Sequence, residues 1–95
     1  MEYEWWIGSG RFFDRAGVRR WEVMDVLYSS DRWPRPVTTP EGAPALTVWG
    51  RTEEGRPLVV LLRRLHTDLD TWQILLAAEM RPHQLEEYTA WEAER

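Results

Sequence analysis

The apolar and polar positions alternate along some stretches and recur every three or four residues along others, and this divides the chain into eight elements. Tyr3 to Ile7 is aromatic and β-prone, and Gly8-Ser9-Gly10 ends it, which predicts a first strand. Ser9 to Arg15 reads as a short helix with Ser9 as its cap and Phe12 and Phe13 inward; Gly17 is placed to stop it in the left-handed conformation. Trp21 to Tyr28 is the clearest helix. Val18, Trp21, Met24, Leu27 and Tyr28 fall three and four apart, which predicts a single buried face. Its start is unusual, because Arg19 and Arg20 stand where Ser, Thr or Asp caps better.

The segment that follows holds four of the six prolines and reads as a loop with one short strand near Trp33 to Val37. Ala45 to Thr52 and Leu58 to Arg64 predict a hairpin, with Glu53-Glu54-Gly55 as its turn and Pro57 at a strand start. The second of these strands is apolar on both faces, as expected of a central strand covered on both sides. Thr71 to Ala77 is a further strand. Pro82 opens a last helix to about Ala93 that buries Leu85, Tyr88 and Trp91 and turns an acidic side outward. The expected class is α+β: one domain over residues 1–95, an antiparallel meander, two N-terminal helices and one C-terminal helix.

Composition narrows the chemistry. With 95 residues there is room for one core. No cysteine is present, which excludes disulfides, thiolate zinc sites and cysteine nucleophiles. No apolar run approaches the ~20 residues of a membrane span, and the N-terminus lacks a signal-peptide pattern, so a cytoplasmic protein is expected. All 12 basic side chains are arginine, yet the net charge is −4, which argues against broad nucleic-acid binding. A local arginine cluster would still suit planar, bidentate phosphate contacts. His66, Asp68 and Asp70 spell H-x-D-x-D but have no further ligand, so a polar hairpin loop is expected and neither metal nor cofactor.

Three motifs in order carry a family resemblance. Arg15-Ala16-Gly17-Val18 precedes Glu22-Val23-Met24-Asp25-Val26-Leu27; Gly50-Arg51-Thr52 precedes Gly55-Arg56-Pro57-Leu58-Val59-Val60; and Ala77-Ala78-Glu79-Met80-Arg81-Pro82 precedes Tyr88. Together they resemble the BrnT family of small bacterial toxins, a branch of the RelE-like ribonuclease fold. The resemblance implies a type II toxin–antitoxin component, metal-independent RNA cleavage and a cognate antitoxin of the ribbon-helix-helix class. It departs from the family pattern at Ala16, where histidine is expected, at Ala78, where arginine is expected, and at Arg81, where threonine caps the helix.

Under that reading Arg51, with Arg15, Arg63 and Arg11, would hold RNA phosphate, and Arg51, Tyr88 or His83 would serve the chemistry, which needs a proton-transfer group and cations for the developing charge. Strand alternation puts Arg51 on the side of Thr47 and Trp49 and sends Arg63 and Arg64 to opposite faces. Trp33, in the proline-rich segment, is the expected exposed interface residue, and a homodimer is one use for it. The alternative is a catalytically degenerate protein-binding module on the same fold, which Ala16, Ala78 and the acidic balance favour.

Overall fold

The computed structural model describes residues 2–65 and 68–95. The chain forms β1 (Glu2–Trp5), α1 (Ser9–Ala16), α2 (Arg20–Leu27), β2 (Trp33–Thr38), β3 (Pro44–Arg51), β4 (Pro57–Leu65), β5 (Asp68–Glu79) and α3 (Pro82–Ala93). The sheet order is β1-β5-β4-β3-β2. From β2 to β5 each strand pairs antiparallel with the next, as the short turns require. β1 instead lies parallel beside β5, with Glu2 opposite Thr71 and Trp5 opposite Ile74. The sheet is therefore mixed and not a pure meander, because α1 and α2 carry the chain across between β1 and the rest.

Alternation sorts the side chains onto two faces. Leu46, Val48, Leu58, Val60, Leu62, Ile74 and Ala77 meet Phe13 of α1 and Val23, Val26 and Leu27 of α2 in the main core. The opposite face carries a second cluster in which Trp49, Met80 and Tyr88 are buried with Trp33, Val59, Leu85 and Trp91 around them. α3 thus covers one end of that face. β4 is apolar on both sides for this reason.

The buried side of α2 differs from the expected one. Val23, Val26 and Leu27 are sealed, whereas Trp21 and Tyr28 are exposed. Apolar residues run almost all round this short helix, so spacing alone could not choose a face; the sheet takes the compact β-branched pair and leaves the large rings outside. Its odd start is resolved by Glu22, whose Oε1 accepts the Arg19 amide at 3.0 Å in place of a cap side chain. Nor does Ser9 cap α1: Gly8 holds the cap position, and the Ser9 side chain is buried with its hydroxyl unpartnered among the described residues. Gly17 closes α1 at φ 68°, in the left-handed region as expected.

Gly50 marks where α2 comes closest to the sheet. A Cβ there would stand 3.0 Å from Val26 Cγ1, tighter than ordinary packing. Gly50→Ala is expected to cost about 1–2 kcal/mol through overpacking. A urea titration would show the midpoint moving down at unchanged slope.

Candidate functional site

Arg51 ends β3 and lies on the face covered by α3. Its Nε donates to Glu92 Oε1 and Oε2 at 3.2 and 3.1 Å, its Nη2 to Oε1 at 3.0 Å and its Nη1 to the Gly55 carbonyl at 3.2 Å. The guanidinium also sits 5.6 Å from the centre of the Tyr88 ring. Arg51 and Tyr88 are therefore brought together, but around a carboxylate of the protein itself. A neighbouring cavity of about 430 Å³ is lined by Arg51 with Asp25 and Glu53, two carboxylates that oppose the approach of phosphate.

Tyr88 is fully buried, and its hydroxyl donates to the Asp31 carbonyl at 2.7 Å. Burial pushes the phenol up to about 12, and Glu92 adds to this against Arg51. A group so placed keeps its proton and has no path to a substrate. His83 is exposed on the first turn of α3. It stands five positions before Tyr88, which turns the two about 140° apart around the helix. The two proton-transfer candidates do not face one site.

The remaining arginines scatter. Arg63 and Arg64 do point to opposite faces: Arg63 Nε donates to Gln73 Oε1 at 2.7 Å, while Arg64 lies 4.9 Å over the Trp72 ring. Arg63 shares the face of Arg51 but stands six residues along β4 from Pro57, the partner of Arg51, a separation of roughly 20 Å. It lines a cavity of about 550 Å³ at the far end of the sheet with Thr39, Glu41 and Leu75. Arg11 and Arg15 are exposed on α1, one turn apart. Arg15 lines a cleft of about 200 Å³ with Phe12, Ala16, Leu76, Ala77 and Ala78. The two positions where the sequence departs from the toxin pattern in a histidine and an arginine thus border one cleft, and its walls are mostly apolar.

The aromatic residues also differ from expectation. Trp33 is not the exposed residue its neighbouring prolines suggest; it is half-buried, stacked on Trp91 at 5.0 Å and edge-on to Trp49 at 5.7 Å. Proline in β2 marks an edge strand here, and the ring turns inward under α3. Trp21, expected in the core, is the exposed indole. Gly8 is explained by packing: the Trp6 ring lies within 2.5–2.8 Å of where a Cβ on Gly8 would stand, whereas a Cβ on Gly10 would meet nothing. His66 lies outside the described residues, and among those described no group of acidic or histidine side chains is placed to hold a metal ion.

Two charge clusters had no signal in the sequence beyond strand alternation. Arg35 is held between the Trp33 and Trp49 rings, 4.4 and 4.8 Å from their centres, and pairs with Glu87 at 2.7 Å. Arg56 bridges Glu22 at 3.0 Å and Glu79 at 3.2 Å and donates to the Gly17 carbonyl. Both tie a helix to the sheet. No helix is long and apolar enough among the described residues to cross a membrane. No protein-family model matches the chain, and no curated protein matches it.

Proposed function

We propose that this chain is a protein-binding module of the BrnT-like toxin class in which nuclease chemistry has lapsed. The observation that carries the reading is the state of Arg51: it is spent on Glu92 of α3, above a tyrosine that is sealed and protonated. Ribonuclease chemistry of the RelE-like kind needs an accessible cation and an accessible proton carrier at the same phosphate. Here the paired cation and phenol fasten α3 to the sheet, and the cleft bordered by Ala16 and Ala78 offers Arg15 without a base or acid beside it. The partner under this reading is a protein, of which a ribbon-helix-helix antitoxin is the class the resemblance implies.

The test is direct. Purified protein incubated with structured and single-stranded RNA is expected to leave both intact, and induced expression to leave growth unchanged. Arg51→Ala should lower stability by about 1–2 kcal/mol, the range for a half-buried bidentate pair after allowance for solvent screening. It should do so without altering any RNA readout. RNA cleavage that Arg51→Ala abolishes at unchanged melting temperature would restore the ribonuclease reading.

A further inference from the structure

α2 turns an aromatic ridge to solvent. Trp21 and Tyr28 are seven positions apart, which brings them back to one side of the helix, roughly 10 Å from each other along it. Trp21 is 53% exposed and Tyr28 67%, while Val23, Val26 and Leu27 seal the core beneath without them. The Tyr3 ring meets Tyr28 edge-on at 5.8 Å, so Tyr28 is held in place although it is exposed. Met24 and Asp25 lie between the two rings on the same side. Large rings grouped on an outward helix face mark a surface that another molecule covers.

The charge beside the ridge says what kind of molecule. Asp25, Tyr28, Ser29, Ser30 and Glu53 line the cavity of about 430 Å³ that adjoins Arg51. Asp25 lies in the last turn of α2, where the helix dipole disfavours a carboxylate and favours a cation, yet that turn holds no basic residue. Its Oδ2 accepts the Glu53 amide at 3.2 Å, one of about four hydrogen bonds a carboxylate can accept. Neither Asp25 nor Glu53 forms an ion pair among the described residues. Arg51 adds no net charge here, because Glu92 meets it one to one. Arg32 donates Nη1 to the Ser29 carbonyl at 2.9 Å from outside the cavity lining. Two unpaired carboxylates against that one arginine leave the cavity acidic.

From this surface we infer that the outer side of α2 is the docking site for a partner-protein segment that presents an arginine beside an apolar side chain. This rests on the protein-binding reading above and names its surface. The guanidinium enters the cavity between Asp25 and Glu53, where its planar fork suits a carboxylate and its face suits the Tyr28 ring. The apolar side chain lies against Trp21, the larger anchor. The end of α2 already draws a guanidinium from its own chain: Arg95, paired with Asp31, reaches the Ser30 carbonyl at 3.1 Å. Charge selects against a second copy, since two-fold packing of α2 on α2 would set Asp25 of one chain near Asp25 of the other.

The probe is a short fluorescein-labelled alanine-based peptide carrying leucine and arginine one helical turn apart, with a leucine–glutamate peptide as its counterpart. Anisotropy should rise with the arginine peptide alone, and the Trp21 indole N–H signal should shift on its addition while that of buried Trp49 stays. Asp25→Asn, which keeps an acceptor for the Glu53 amide, combined with Glu53→Gln should weaken binding about tenfold, the effect of removing two surface charge pairs. Trp21→Ala should weaken it about as much at unchanged melting temperature. Glu41→Gln combined with Glu86→Gln removes the same charge from exposed positions elsewhere and should leave binding as it was. Equal binding of both peptides, binding of neither, equal loss in this control, or a static Trp21 signal overturns the site. A dimer in sedimentation without peptide, dissociated by Trp21→Ala, replaces the partner by a second copy. None of these readouts involves RNA, so the site can fail while the non-catalytic reading stands, and RNA cleavage can remove that reading by itself.

Discussion

Tyr88→Ala is expected to cost about 4 kcal/mol, the range for deleting a fully buried aromatic ring. That is a large share of the roughly 5–14 kcal/mol that holds a domain of this size. The ring is the centre of the second cluster: Trp91 lies 5.5 Å from it, Arg51 stands over it, and its hydroxyl reaches across to the Asp31 carbonyl. Without it, α3 loses its anchor on Trp49 and Val59, and the melting temperature should fall by roughly 20–30 °C. Tyr88→Phe keeps the ring and loses one hydrogen bond, so about 1 kcal/mol is expected. The sign of the alkaline dependence follows from the raised phenol. Between its ordinary value near 10 and its folded value of about 12, the folded state holds the proton more tightly, so wild-type stability falls as pH rises through that window. Tyr88→Phe should lack this fall. A proton-transfer role predicts a different outcome, in which Tyr88→Phe removes RNA cleavage and leaves melting unchanged.

Glu22→Ala is expected to cost about 2–3 kcal/mol, because one carboxylate performs two tasks. It accepts the Arg19 amide that starts α2, and both its oxygens accept Arg56 Nη1, at 3.0 and 3.1 Å. Burial alone would raise this carboxyl; the Arg19 amide and the Arg56 guanidinium outweigh it, so Glu22 titrates below the usual carboxylate range. A depressed carboxylate stabilises the fold above its unfolded pKa, and the gain is lost as pH falls through its folded value. Wild-type stability should therefore decline on acidification below about pH 5, and Glu22→Gln should flatten that decline while lowering the plateau. A plateau unchanged in Glu22→Gln, followed by urea unfolding across pH 3 to 7, would sink this account.

The strands and helices were legible where punctuation was strong. Gly17, Gly55, Pro57 and Pro82 stand where the chain stops, turns or restarts, since their backbone limits act locally whatever surrounds them. Opposite faces for Arg63 and Arg64 followed from the two-residue period of a strand. The site was less legible. Arg51 could be singled out from its motif as a candidate for phosphate contact, but the carboxylate that occupies it lies 41 positions away on α3. Trp21 and Trp33 exchanged roles for a related reason: helix spacing and neighbouring prolines describe a segment, while exposure depends on which element packs over it.

By itself, then, the sequence determined the element order, the α+β class, the stop at Gly17, the hairpin turn at Gly55 and the alternation of β3 and β4, because each depends on residues within a few positions of one another; the loop expected at Asp68 and Asp70 is instead the start of β5. Only the tertiary structure decided that β1 runs parallel to β5, that α2 buries its valines and not its tryptophan, that Arg51 and Tyr88 serve the attachment of α3, and that β1 pairs with β5 over Thr71 to Ile74. Those outcomes depend on contacts between distant segments competing for the same two faces of one sheet, and no local pattern records which competitor wins.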